Sequence, residues 1–202
     1  MGKSTMRSRS DAVYRGRIRI IGGQWRGRWI ELPAQSGLRP TGNRIRETLF
    51  NWLTPAIDGA RCLDLFAGTG ALGFEAASRG AAEVLLVDQD GRAVRQLQTM
   101  AKRLSAANVT VRHAEAETFL AETAGTFDIV FLDPPFRRGH IARCSELLHS
   151  GGWLREKALL YIEIEKEALM PQLPKDWNVR REKVAGQVRY LLVQTGADKG
   201  KP

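Results

Sequence analysis

The chain has little from which to build a redox, metal or membrane site. Cys62 and Cys144 are its two cysteines, and His113, His140 and His149 its three histidines. The thiols fall in a strand-like and a helix-like stretch and the histidines in three separate elements. No acid or thiol sits at ligand spacing, so neither a disulfide framework nor a metal centre can be built, and each histidine reads as a surface or packing residue. Apolar runs are also short. Val84 to Val87 and Ala158 to Ile162 are strand-sized, far below the roughly eighteen residues that cross a bilayer. The expectation is a soluble protein in a reducing, cytoplasmic setting, without membrane or metal. The N-terminal stretch lacks the apolar middle segment of a secretory signal. Being rich in Arg and Ser, with Asp11 its one acid up to Arg17, it leaves an organelle transit peptide as a remote alternative.

Acid is what the first quarter lacks. Residues 1–46 hold eleven Lys and Arg against Asp11 and Glu31, whereas residues 47–202 hold twenty of each sign, so the whole net charge of +9 sits at the start of the chain. A basic lobe beside a neutral body is the footprint of a polyanion clamp. Met1 to Tyr14 has few large apolar residues and is expected to be a disordered basic tail. In Arg17-Ile18-Arg19-Ile20 the charges alternate with apolar residues, Gly22-Gly23 supplies a turn, and Trp25, Trp29 and Ile30 follow among Arg26 and Arg28. This predicts a β-hairpin with isoleucines on one face and arginines on the other, suited to phosphates. Arg17, Arg19, Arg26, Arg28 and, further on, Arg39 are the candidate nucleic-acid contacts. A helix over Asn43 to Leu53, capped by Thr41 or Asn43, completes an extension spanning residues 15–54.

From Arg61 the pattern alternates strand and helix, as in a doubly wound parallel sheet. Strands are predicted at Cys62 to Phe66, Glu83 to Asp88, Val109 to His113, Phe127 to Asp133 and Ala158 to Glu163. Helices are predicted at Gly70 to Arg79, Asp90 to Leu104, Ala114 to Glu122 and Arg138 to His149. Trp177 to Val184 and Val188 to Gln194, joined by Ala185-Gly186-Gln187, read as a closing antiparallel hairpin. The main domain is thus 55–196, and 197–202 is a loose tail.

The chain is organised around Leu63-Asp64-Leu65-Phe66-Ala67-Gly68-Thr69-Gly70-Ala71-Leu72-Gly73, an apolar strand followed by a glycine turn and a helix start. Gly68 and Gly70 let a ligand approach the backbone, and the helix start presents unpaired N–H groups. As a dinucleotide fingerprint GxGxxG is weak on its own. Asp64 puts a negative charge where a pyrophosphate would need a neutral lining, but it suits the sulfonium and ammonium of S-adenosylmethionine. In such sheets ligands lie beyond the strands' carboxyl ends, where Asp64, Asp88, Glu115 and Asp133 all fall. Asp88 is the candidate for the ribose hydroxyls, with Asp90 capping the next helix; a capping role for Asp88 is the alternative. Phe66 is placed against the cofactor or in the core. Glu163 lines the substrate side or is solvated.

Asp133-Pro134-Pro135-Phe136 has no role in hydride transfer but suits methylation of an exocyclic amine. Such a nitrogen is a poor nucleophile because its lone pair is delocalised into the ring. An amine whose N–H bonds point at the Asp133 carboxylate and the Pro134 carbonyl is drawn toward a tetrahedral form, and Asp133 stabilises the positive charge that grows on transfer. The prolines stiffen the loop, and Phe136 offers the base a stacking face. Arg137 and Arg138 are placed either to hold flanking phosphates or simply at the surface.

The glycine bend with its D-P-P-F loop resembles the class I methyltransferases that modify base amines. The ordered set R-I-I-G-G-Q-W-R-G-R, L-R-P-T-G-N-R-I-R-E-T-L-F-N-W-L, D-L-F-A-G-T-G-A-L-G-F-E-A and D-P-P-F-R-R-G, with a closing hairpin, resembles the RsmD-type family over roughly Arg17 to Gln194. That family is the guanine-N2 methyltransferase of bacterial small-subunit (16S) ribosomal RNA. The resemblance implies an α/β, Rossmann-like, seven-stranded class I methyltransferase sheet with a C-terminal antiparallel hairpin and a small N-terminal basic hairpin. It implies S-adenosylmethionine as cofactor and small-subunit ribosomal RNA or the assembling subunit as partner; a monomer is expected. It further implies that Glu115, with Ala116, meets the adenine, although Glu117 competes because the strand register can slip. Asp88 stands where a glutamate is common, and the leader before Tyr14 is extra. The rivals are a DNA or RNA adenine-N6 or cytosine-N4 methyltransferase, an NAD(P) oxidoreductase and a non-catalytic RNA-binding assembly factor.

Overall fold

The alternating strands and helices build one seven-stranded sheet in a computed structural model that describes residues 16–31, 42–122, 125–135 and 139–196. The expectations for the two terminal tails, Arg39, Thr41, Phe136, Arg137 and Arg138 lie outside the described residues. The sheet comprises β3 (Arg61–Asp64), β4 (Glu83–Asp88), β5 (Val109–His113), β6 (Phe127–Leu132), β7 (Leu154–Glu165), β8 (Asn178–Ala185) and β9 (Val188–Gln194), with β1 (Arg17–Arg19) and β2 (Trp29–Glu31) forming a separate hairpin. The order across the sheet is β5-β4-β3-β6-β7-β9-β8, parallel from β5 to β7 and antiparallel thereafter. The chain winds outward from β3 in one direction, then returns to β3's other side. That reversal opens a crevice at the carboxyl ends of β3 and β6.

Helices α1 (Asn43–Leu53), α2 (Ala71–Ser78) and α3 (Gly91–Leu104) cover one face, and α4 (Ala116–Leu120) and α5 (His140–Ser150) the other. The alternation of strand side chains sorts the core. Cys62, Phe131 and Tyr161 face the first group, while Leu63, Val130 and Leu160 face the second. Both cysteines are buried free thiols, and burial raises each well above its usual pKa.

The basic hairpin follows its pattern: Ile18 pairs with Ile30, both buried, and Arg17 and Arg19 point outward. Ile18, Ile20, Trp25 and Ile30 join the same apolar cluster as α1, α2 and the sheet. Polar contacts reinforce this seat. The buried Glu75 on α2 accepts the backbone N–H groups of Ile21 and Gly22, each at 2.8 Å. Ser78 accepts the Trp25 N–H at 2.9 Å and donates to the Gly22 carbonyl at 2.6 Å. A Cβ at Gly23 would lie 1.7 Å from the Ser78 carbonyl oxygen, so only glycine permits this approach.

Some boundaries differ from expectation. Asn43 does not cap α1: Gly42 holds the N-cap position, and the Asn43 side-chain Oδ1 instead accepts from the buried Arg46 guanidinium at 2.7 Å, a charge that needs acceptors. Strand β7 begins four residues early, because Leu154 pairs with Phe127 before a bulge that contains Lys157 at φ 61°. Helix α4 shrinks to five residues, with Glu115 as its N-cap residue. Among the described residues no helix is long and apolar enough to cross a membrane.

Candidate active site

The glycine bend is held by a carboxylate from the neighbouring strand. Asp88, at the end of β4, accepts the Gly68 N–H at 2.7 Å and the Asp90 N–H at 2.8 Å. Asp90 in turn accepts the Arg92 N–H at 2.8 Å and caps α3, as its position after the strand suggested. Gly70 adopts φ 77° with its Cβ direction blocked at 2.6 Å by Phe74 and Leu97, so packing as well as conformation excludes a side chain there. At Gly68, φ 50°, the space is open: among the described residues only the Phe66 carbonyl oxygen, 3.8 Å away, comes near. One glycine lets the helix pack and the other leaves room for a ligand.

Asp64, at the end of β3, is 2 % exposed and accepts the Gly73 N–H of α2 at 3.2 Å. Burial is the main cause that pushes its pKa up to about 8, followed by the nearby charge of Asp133. An acid in this state is short of positive charge, and a cationic ligand beside it would restore ionisation.

Both corners of the crevice open into a single cavity of about 620 Å³. Asp64, Gly68, Asp88, Glu115 and Ala116 border it, with Phe66 beside them, and so do Asp133, Pro134 and Pro135. The predicted acids therefore share one space. Glu115 receives the Thr118 hydroxyl at 3.2 Å, while Glu117 is turned to His140, 3.0 Å from Nδ1. The register question thus finds both acids on the cavity wall. Among the described residues no cluster of three His, Cys, Asp or Glu is placed to hold a metal.

Other residues complete the wall, and among them Glu163 is the one whose strand-end position already offered the substrate side. His140 borders the cavity and leans on the Phe66 ring, 5.6 Å between centroids. Gly42 at the N-cap of α1, Ile45 of α1, and Gln187 and Val188 of the closing hairpin border it as well. Glu163, 3 % exposed, also reaches the wall and accepts the Tyr161 hydroxyl at 2.5 Å. No sequence signal marks His140, since its role depends on α5 packing beside β3; the turn carrying Gln187 was legible, but its position was not.

The arginines lie elsewhere. Arg17, Arg19, Arg26 and Arg28 are exposed on the outer face of the hairpin, where the half-exposed Trp29 lies 6.0 Å from the Arg19 guanidinium. Helix α2 links the regions: its first turn borders the cavity and its last turn holds the hairpin.

A family model described as Conserved hypothetical protein 95 matches residues 18–194. The ribosomal RNA small subunit methyltransferase D of Escherichia coli K12 is 52 % identical over 182 residues, 90 % of this chain and 92 % of that protein. The protein of the same name from Haemophilus influenzae is 42 % identical, covering 89 % and 95 %. A solved structure titled putative methyltransferase yhhF from Escherichia coli superposes with a TM-score of 0.85 at 49 % identity, covering 91 % of this chain and all of that one.

Proposed function

We propose, from the premise that this chain belongs to the Conserved hypothetical protein 95 family together with the ribosomal RNA small subunit methyltransferases D, that it methylates guanine N2 in small-subunit ribosomal RNA, using S-adenosylmethionine. The observation that carries this reading is the single cavity bordered by both the glycine bend and the Asp133-Pro134-Pro135 corner. The donor set fits the cofactor: open space above Gly68, a buried acid at Asp64 that favours a cation, and the Asp88 carboxylate for hydroxyl groups. Glu115 and Ala116 would meet the adenine. When bound, the cofactor supplies an electrophilic methyl group.

The chain's own residues do the rest by position. Asp133 and the Pro134 carbonyl hold the amine so that its lone pair faces away from the ring plane, and Asp133 stabilises the charge that grows there and accepts the departing proton. Proline at 134 and 135 removes N–H groups that would compete for these acceptors. Phe136 is assigned to stacking on the flipped base. Arg17, Arg19, Arg26 and Arg28, together with Arg39, Arg137 and Arg138, contact RNA phosphates, and residues 15–54 act as the RNA-binding part of the chain.

The test is incubation with methyl-labelled S-adenosylmethionine and either small-subunit RNA or assembling particles, followed by identification of the modified nucleoside. N2-methylguanosine is expected. Asp133→Ala is expected to lose transfer by at least roughly 100-fold while still binding S-adenosylhomocysteine. Labelled adenosine or cytidine, or full turnover by Asp133→Ala, would overturn the assignment.

A further inference from the structure

The D-P-P-F corner is common ground for enzymes that methylate guanine, adenine or cytosine amines, so it does not by itself choose a base. A second acid beside it does. Strands β6 and β7 are parallel with Leu132 paired to Ile162, which makes Asp133 and Glu163 the next residues in line on neighbouring strands, about 4.8 Å apart by strand spacing. Alternation puts Asp133 on the face of Phe131 and Glu163 on the face of Tyr161, and those two belong to the same apolar cluster. Both acids border the cavity. The Tyr161 hydroxyl, donating to Glu163 Oε1, fixes how that carboxylate is turned, and burial together with Glu163 holds the tyrosine well above its usual pKa, so it stays a donor. Gln187, which also borders the cavity, stands in the β8–β9 turn, whose backbone is pinned by the Lys166 N–H donating to the Gln187 carbonyl at 2.8 Å.

The bases differ in what lies next to the target amine. On the Watson–Crick edge of guanine the neighbour of the exocyclic amine is N1–H, a donor. In adenine and cytosine it is a ring nitrogen lone pair, an acceptor. Two adjacent carboxylates accept from two adjacent donors, whereas a lone pair facing the second carboxylate is repelled by it and forms no hydrogen bond there.

We propose that Glu163 is the residue that makes this site select guanine, by accepting N1–H while Asp133 takes the N2 amine, with the Gln187 amide donating to O6. This rests on the guanine-N2 reading above and names how the same site enforces it. Glu163 is a specificity residue that touches the base, and Tyr161 positions it.

The test uses small-subunit RNA carrying guanine or 2-aminopurine at the modified position, assembled into particles. The analogue keeps the 2-amino group but replaces N1–H with a lone pair and has no O6. The full-length protein is expected to prefer guanine by roughly 100-fold or more, given what replacing a hydrogen bond by an acceptor–acceptor contact costs in a buried site. Glu163→Gln keeps the shape but turns an N–H₂ toward N1, because Tyr161 holds the amide oxygen. It is expected to lose about tenfold on guanine, to gain on 2-aminopurine, and so to narrow the preference at least tenfold with the S-adenosylhomocysteine thermal shift unchanged. Gln187→Ala, in an exposed turn, is expected to slow guanine and leave 2-aminopurine unaffected. If the wild-type protein methylates guanine and 2-aminopurine equally, or if neither variant moves their ratio, the inference fails while the proposed function stands. If the wild-type protein methylates no guanine in small-subunit RNA, the proposed function itself fails.

Discussion

Arg46 and Glu75, both with fully buried side chains, face each other at 3.5 Å between the helix that follows the basic hairpin and the helix that follows the glycine bend. The pair joins the two parts of the molecule. Arg46 also donates to the Arg19 carbonyl at 2.9 Å, and Glu75 accepts from Arg79 at 2.7 Å as well as from the hairpin backbone. A charge removed here leaves the other uncompensated in the core, and burial already weakens the hold of Arg46 on its proton.

Glu75→Ala is therefore expected to cost about 3–5 kcal/mol, the range for breaking a buried pair from one side. Urea denaturation measures it. Limited proteolysis should then cut within residues 16–31 of the variant before it cuts the sheet.

The buried Asp64 predicts a pH dependence with a definite sign. Its pKa near 8 in the folded protein exceeds the ordinary carboxylate value of about 4 in the unfolded chain, so the folded state binds the extra proton. The stability this gives is complete below about pH 4 and is lost as pH rises toward 8. Ligand binding runs the other way: the ammonium of S-adenosylhomocysteine beside Asp64 favours the ionised form, so this ligand should bind more tightly at pH 7.5 than at pH 6, with proton release. Calorimetry in buffers of different ionisation enthalpy detects the proton, and Asp64→Asn should abolish both effects.

Alanine at the two glycines of the bend separates folding from binding. Gly68→Ala meets open space and should cost about 1–2 kcal/mol for its left-handed backbone, yet its methyl group occupies the ligand's approach and should weaken S-adenosylhomocysteine binding at least tenfold. Gly70→Ala adds clashes with Phe74 and Leu97 and should lower the melting temperature further than Gly68→Ala. Differential scanning fluorimetry with and without the ligand reads both quantities.

The hairpin arginines predict a salt signature. Arg17, Arg26 and Arg28 are exposed and form no ion pair among the described residues. Each replacement by alanine should reduce the slope of log K against log salt for RNA binding by about 0.7–0.9, the contribution of one phosphate contact. Filter binding across a salt series measures it, and the methylated nucleoside should not change.

Several features were legible in the residues because they depend on local periodicity. β4, β5 and α1 begin and end where their apolar spacing places them, and the outward arginines of the hairpin follow from strict alternation. The acids Asp64, Asp88 and Asp133 could be read because each ends a strand or directly follows one, and strand ends point at one crevice in a sheet of this winding.

The order of elements, the glycine bend, the acid-proline corner and the segregation of positive charge are therefore legible in the chain alone, because all are written in contiguous stretches. Packing in three dimensions alone established that Glu75 anchors the hairpin from more than fifty residues away, that His140 stands beside Phe66, and that Gln187 borders the same cavity as Asp133. The reason is physical. A lone buried charge is costly, so Arg46 and Glu75 require partners, yet which backbone groups and side chains supply them depends on how a helix crosses a sheet, and no local spacing encodes that crossing.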